Sequence, residues 1–164
     1  MPFYLKQVLG VNVTTCDIDP KLNPDIVGDI KNLPCADESY DAVVVFEVLE
    51  HLPYEDFSVC LKEIKRVTRG RAFISLPYRN TGFDILIKFP FIRTLIKRDW
   101  IRLLFTIPIK FPGFEISGQH YWEISRQTPK KKVHKDVSEH FIITKKEHVV
   151  FDVYRYFLTL EKKS

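Results

Sequence analysis

Glycine is scarce in this 164-residue chain: there are six, and Gly10 is the only one ahead of Gly28. Nucleotide-binding α/β units normally open with a strand and a glycine-rich loop whose backbone N–H groups receive the ligand. The twelve residues before Val13 offer no such loop. Cysteine is equally sparse. Cys16, Cys35 and Cys60 are odd in number and show no CxxC spacing. This argues against a disulfide framework or zinc knuckle and fits a reducing, cytoplasmic setting. The uncharged run Leu103–Ile109 falls far short of the roughly 20 apolar residues of a spanning helix. The opening MPFYLKQVLG lacks the basic-then-apolar pattern of a signal peptide. Lys and Arg exceed Asp and Glu by only four, too weak a basic bias for a dedicated nucleic-acid binder. Repeats and low-complexity tracts are also missing.

What is present reads as alternating strands and helices. Pro2–Leu9 suits the tail of a helix stopped by Gly10. Val11, Val13 and Thr15 alternate toward a strand ending at Cys16–Asp17, and Ile26–Val27 make a short strand before Gly28-Asp29. Ala42–Phe46 (AVVVF) is continuously apolar, as a central parallel strand covered on both faces should be. Leu52–Thr68 is the clearest helix. Pro53, Glu55 and Asp56 mark its start, and Phe57, Cys60, Leu61, Ile64 and Val67 form one stripe. Lys62, Glu63, Lys65 and Arg66 are expected to face water, with Gly70 as the stop.

Ala72–Leu76 is the next buried strand. Thr128 caps a short helix with Pro129 at its first position, and Phe141–Ile143 and Val153–Leu160 read as a closing antiparallel pair. Together these elements predict an α/β fold: an open, mostly parallel sheet with helices on both faces.

Residues 79–118 differ in kind. They hold seven basic and three acidic residues and seven Phe or Trp side chains. Linkers are poor in aromatics, so this stretch is read as a helical insert within a single domain spanning 1–164. It serves as a lid over an acceptor, a surface for anionic lipid, a dimer face, or a satellite layer with solvated lysines. RNA ranks lower, because the aromatics are embedded among Ile and Leu.

Ligands of open α/β sheets bind outside the carboxyl ends of the strands. Asp17 stands there and can accept from ribose hydroxyls or simply form a turn. Asp19 reads as a turn residue. Asp29 can accept from an adenine amino group, with Ile30 and Leu33 against the ring, or cap a turn. His51, His120 and Tyr121 can line an acceptor side or pack structurally, and Tyr78 is a weaker candidate. His134, His140 and His148 are expected at the surface. No metal-ligand spacing recurs along the chain.

The run DIVGDIKNLPCADESYDAVVVFEVLEHL, followed by LKEIKRVTRGRAFISLP, resembles the class I S-adenosylmethionine-dependent methyltransferases, and within them the methyltransferase type 11-like group. Its spaced elements are Gly28-Asp29, Leu33-Pro34, Tyr40-Asp41 and Leu49-Glu50-His51-Leu52. The resemblance implies a Rossmann-like methyltransferase sheet with an antiparallel C-terminal strand pair. It implies S-adenosylmethionine as cofactor, contacted by Asp17, Ile18, Gly28, Asp29, Ile30, Leu33 and Glu47. It implies His51, His120 and Tyr121 near a small-molecule or lipid-like methyl acceptor.

It also implies a first strand and glycine loop ahead of Pro2–Leu9. Two expectations follow. Either an upstream portion belongs to the protein, or this is an N-terminally truncated homologue. In the second case the bared sheet edge is covered by another strand or a second copy, and a non-catalytic, oligomerising scaffold is the alternative function. Peripheral contact with membranes through the insert is a further expectation.

Overall fold

In the computed structural model, the described residues are Lys6, 10–79, 82–88, 100–106, 119–149 and 152–163. Apart from Lys6, which is helical, the expected Pro2–Leu9 helix lies outside them, as does most of 79–118.

The core of the fold is a mixed four-stranded sheet of β3 (Tyr40–Phe46), β4 (Thr68–Pro77), β7 (Phe141–Val149) and β8 (Asp152–Lys162), in the order β3-β4-β8-β7. Only β3 and β4 run parallel, while β8 is antiparallel to both β4 and β7. The α/β class and the C-terminal antiparallel pair are as expected. The sheet is less parallel than expected because β8 inserts between β4 and β7. A separate parallel pair joins β1 (Cys16–Asp17) and β2 (Ile26–Val27). The strand expected from Val11 onward is thus confined to its last two residues.

Sequence pattern explains the main elements. Val43 and Val45 align with Ala72 and Ile74, which align with Leu160 and Leu158. These residues share one face by the period of two. The same face meets α1 (Phe57–Val67) and α2 (Lys130–His140), whose Leu61, Ile64, Val133 and Val137 are fully buried in the same cluster. Each such side chain contributes about 1.5–3 kcal/mol by leaving water. Both described α-helices therefore cover this face. On the other, Val44 remains 49% exposed, so the expectation of helices on both faces is not met among the described residues.

Several boundaries shift. The helix expected from Leu52 begins as a 3-10 turn, Tyr54–Asp56, and becomes α-helical only at Phe57. It ends at Val67 because Thr68 is already extended, and Gly70 lies inside β4. Pro129, extended, is the N-cap of α2 in place of Thr128. The parts of the 79–118 insert that are described are strands, not helices. β5 (Gly82–Lys88) pairs antiparallel with β6 (Trp100–Thr106) over seven residues each.

Of the α1 residues expected to face water, Lys62 does, while Glu63 and Arg66 are used for packing. Arg66 donates to the carbonyls of Leu33 and Cys35 and to Asp37 and Glu63, while Glu63 accepts the Leu33 N–H at 2.9 Å. This pair clamps the loop between β2 and β3. No described helix is long and apolar enough to cross a membrane.

Candidate functional site

Asp17 is the last residue of β1, and Asp29 stands two residues past the carboxyl end of β2. The register Asp17↔Val27 sets the two strand ends side by side, and Gly28 N–H donates to the Asp17 carbonyl at 2.9 Å. Each aspartate closes an Asx turn. Asp17 Oδ1 accepts from Asp19 N–H and Asp29 Oδ1 from Lys31 N–H, both at 2.9 Å. The turn reading is therefore correct for both, and it leaves each second carboxylate oxygen outside the turn, that of Asp29 facing Lys31 Nζ at 4.0 Å. Asp19 is a turn residue as expected, accepting from Lys21 N–H. Ile18 is 69% exposed beside Asp17, while Ile30 and Leu33 are half-buried. Gly28 has a packing reason of its own: a Cβ there would lie 2.5 Å from Cδ of Pro34.

A second group gathers beyond the carboxyl ends of β3 and β4. Glu47 follows β3 with φ of 52°, a conformation uncommon outside glycine and often found at functional sites. Leu49–His51 form a 3-10 turn. The segment after the insert crosses this turn, with Tyr121 N–H donating to the Glu50 carbonyl at 2.8 Å and Ile124 N–H to Pro77 at 2.9 Å.

The side chains here are tightly linked. The His51 ring stands 4.8 Å from that of His120, edge to face. His51 Nδ1 meets the Gln119 carbonyl at 2.8 Å, and His120 Nδ1 meets Glu123 Oε1 at 2.9 Å. Glu123, 4% exposed, also accepts from the Tyr154 hydroxyl at 2.9 Å. Burial and that bond to Glu123 push the Tyr154 hydroxyl far above its usual range. Glu50 is wholly buried. Burial pushes its carboxyl upward, its own backbone N–H opposes this, and the charge of Glu47 adds to the shift while both histidines oppose it.

The structure thus brings His51 and His120 together, with Glu47 close enough to act on Glu50. Tyr121 contributes its backbone there, while its side chain is 66% exposed. Glu50 and Glu123 were missed as functional groups; the only signals were their places in LEHL and in the HYWEI run. His134, His140 and His148 are not surface residues as expected. They are half-buried, with contacts to the Tyr156 hydroxyl, Ser58 Oγ and Lys130 Nζ. An open depression of about 500 Å³ lies at the other end of the sheet, lined by Asp37, Glu38, Lys62, Lys65, Arg66 and Lys162. Its Lys162 and Arg66 are already engaged with Glu38, Glu63 and Asp37, and none of the expected site residues borders it.

Residues 2–76 match the family model described as a methyltransferase domain. The matched segment, 75 of the 164 residues, is similar to that family. It carries both aspartates, Glu47, Glu50 and His51. No curated protein matches the chain, but solved structures do.

The PH0226 protein of Pyrococcus horikoshii is 16% identical, with a TM-score of 0.58 over 98% of this chain and 77% of its own. An S-adenosylmethionine-dependent methyltransferase from Clostridium acetobutylicum is 9% identical, with a TM-score of 0.54 over 91% and 74%. The 1,6-didemethyltoxoflavin-N1-methyltransferase of Burkholderia thailandensis, solved with 1,6-didemethyltoxoflavin and S-adenosylhomocysteine, is 12% identical, with a TM-score of 0.51 over 91% and 60%. This chain therefore spans less than two thirds of the toxoflavin enzyme. At such identities the likeness is one of fold, and it extends the methyltransferase fold beyond residue 76.

Proposed function

We propose that this chain transfers a methyl group from S-adenosylmethionine to a small-molecule or lipid-like acceptor. The observation that carries this reading is the placing of Asp17 and Asp29 at the carboxyl ends of two paired parallel strands, within the segment that matches the methyltransferase family model. The residues fit the cofactor. Each aspartate spends one oxygen on its own turn. Exposed Ile18 and Val27 leave apolar surface beside them. The relative crystallised with S-adenosylhomocysteine supports the same ligand class.

When bound, the cofactor supplies an electrophilic methyl group on a sulfonium. The chain's task is to bind and align. The second oxygen of Asp17 accepts from ribose hydroxyls, and that of Asp29 from the adenine amino group, through charge-assisted bonds. Ile30 and Leu33 would pack beside the ring, with Gly28 tied through its N–H to the Asp17 carbonyl. Glu47, held by Ser75, faces the cofactor from the end of β3. His51, His120 and Tyr121 form the acceptor side. In-line displacement at carbon depends chiefly on proximity and orientation. A general base is needed only where the acceptor must lose a proton. The aromatic and basic composition of residues 79–118 favours an apolar acceptor.

Calorimetric titration with S-adenosylhomocysteine tests this reading. Binding by the wild-type chain that Asp17→Ala abolishes is the expected result. A folded chain that binds none at millimolar ligand sinks the proposal.

A further inference from the structure

Glu50 is an anomaly that methyl transfer does not explain. Its side chain is 0% exposed, and neither carboxylate oxygen has a hydrogen-bond partner in any other described residue. A buried carboxylate without a partner is strongly unfavourable, and such an orphan calls for an explanation, an absent ion among them. Two imidazoles stand beside it. One ligating atom each from Glu50, His51 and His120 lies within 4.8 Å of the others. The three groups are not an ordinary Glu–His ion pair, since neither histidine hydrogen-bonds the Glu50 carboxylate.

The surroundings of the two rings point the same way. His51 offers Nδ1 to the Gln119 carbonyl and His120 offers Nδ1 to Glu123. A neutral imidazole that donates from Nδ1 keeps its lone pair on Nε2. Metal-ligating histidines are held in this manner, with the other nitrogen on a carbonyl or carboxylate that fixes the ring and raises its basicity. Glu123 is itself fixed by the Tyr154 hydroxyl. The bond from Tyr121 N–H to the Glu50 carbonyl ties the two ligand-bearing segments together, so the set is assembled before any ion arrives.

We propose that Glu50, His51 and His120 bind one divalent first-row transition ion of the zinc class. Two imidazole nitrogens and one carboxylate oxygen suit zinc, cobalt or iron. Magnesium and calcium prefer all-oxygen shells. Ligands on a tetrahedral zinc sit about 3.3 Å apart, given bonds of about 2.0–2.1 Å. The present spread is at most 4.8 Å, so the ligands need only small side-chain adjustments that keep the Nδ1 bonds of both rings. Three protein ligands leave a coordination position for water or for an oxygen or nitrogen of a substrate. The site does not depend on methyl transfer, and its test needs no cofactor.

The full chain, stripped with chelator, is titrated with Zn²⁺ by calorimetry and with Co²⁺ by visible absorption. One equivalent of each is expected to bind. Glu50→Gln and His51→Ala, each with wild-type circular dichroism, are expected to weaken Zn²⁺ binding at least roughly tenfold. Should Glu50→Gln fail to fold, His51→Ala decides alone, since its ring is exposed. No Zn²⁺ binding by the wild-type chain overturns the site. So does unchanged binding by the folded variants, which would assign the ion to His134, His140 or His148. Mg²⁺ binding as tight as Zn²⁺ binding overturns the assignment of metal class.

Discussion

Ser75 and Glu47 exchange two hydrogen bonds across the β3–β4 pair. The Ser75 hydroxyl accepts the Glu47 backbone N–H at 3.1 Å and donates to Glu47 Oε1 at 2.6 Å. One buried hydroxyl thereby holds both the backbone and the side chain of the residue at which β3 turns into the site.

Replacing Ser75 with Ala removes both bonds at once. The Glu47 N–H then has no partner while its backbone stays at φ of 52°. Leaving a polar group of this kind unpaired costs about 1–3 kcal/mol. Urea denaturation of Ser75→Ala should show a lower midpoint with an unchanged m-value. Equal midpoints would mean that Glu47 finds another partner at no cost.

Arg66 and Glu63 hold the loop that leads from β2 to β3, and the geometry is specific to a guanidinium. Five donors in a fixed fork reach two carbonyls and two carboxylates. A lysine ammonium cannot reproduce that fork. Arg66→Lys and Arg66→Ala should both lower the melting temperature and speed amide exchange at Leu33 and Asn32, with little change in β4 or β8. Exchange at Leu33 as slow as in the wild type would show that the clamp is dispensable.

The elements legible in the sequence were those with a single clear period. AVVVF and AFISL read as buried strands, and the stripe Phe57, Cys60, Leu61, Ile64, Val67 read as a helix; all three formed. Asp17 and Asp29 were legible as strand-end carboxylates because their turns are local. The 79–118 stretch was misread where it is described, since short apolar runs such as Ile85–Ile87 and Leu103–Phe105 fit helix and strand alike. The register of β5 with β6, a non-local fact, decides between them. The cluster of Glu50, His51 and His120 was invisible because His120 lies far along the chain from the adjacent Glu50 and His51. Chain topology and the Tyr121–Glu50 backbone bond bring them together, and no spacing rule reports that.

His134 and His140 should make the fold sensitive to mild acid. Burial holds both imidazoles below their usual value, with Lys146 and Lys130 adding to the shift at His134 and Lys62 at His140. A histidine with a depressed folded value stays neutral in the native state while the unfolded chain takes up a proton below about pH 6.5. Stability is then complete above that pH and falls as pH drops toward the lower folded values. The carboxylates Asp25, Glu38 and Glu63, whose folded values are also depressed, lose their contributions only in stronger acid, as pH falls through the carboxylate range. Urea midpoints across the histidine range should decline toward acid, and His134→Gln should flatten the decline. A slope that survives His134→Gln and His140→Gln together would place the titrating group elsewhere.

The packing of Gly28 can be separated from its proposed cofactor role. A Cβ at this position meets Pro34 Cδ at 2.5 Å, Pro34 Cγ at 2.9 Å and Cys16 Sγ at 3.3 Å. The proline ring is closed and cannot rotate away, so the backbone must shift. Overpacking of this sort costs about 1–3 kcal/mol. Gly28→Ala should therefore destabilise the free protein even without ligand. Pro34→Ala removes the two closest atoms, so the double variant should recover much of the loss, and a double-mutant cycle in urea measures that coupling. If Gly28→Ala leaves stability untouched but weakens S-adenosylhomocysteine, the glycine serves the ligand alone. If the double variant regains stability yet still binds poorly, the glycine serves both the packing of the loop and the cofactor.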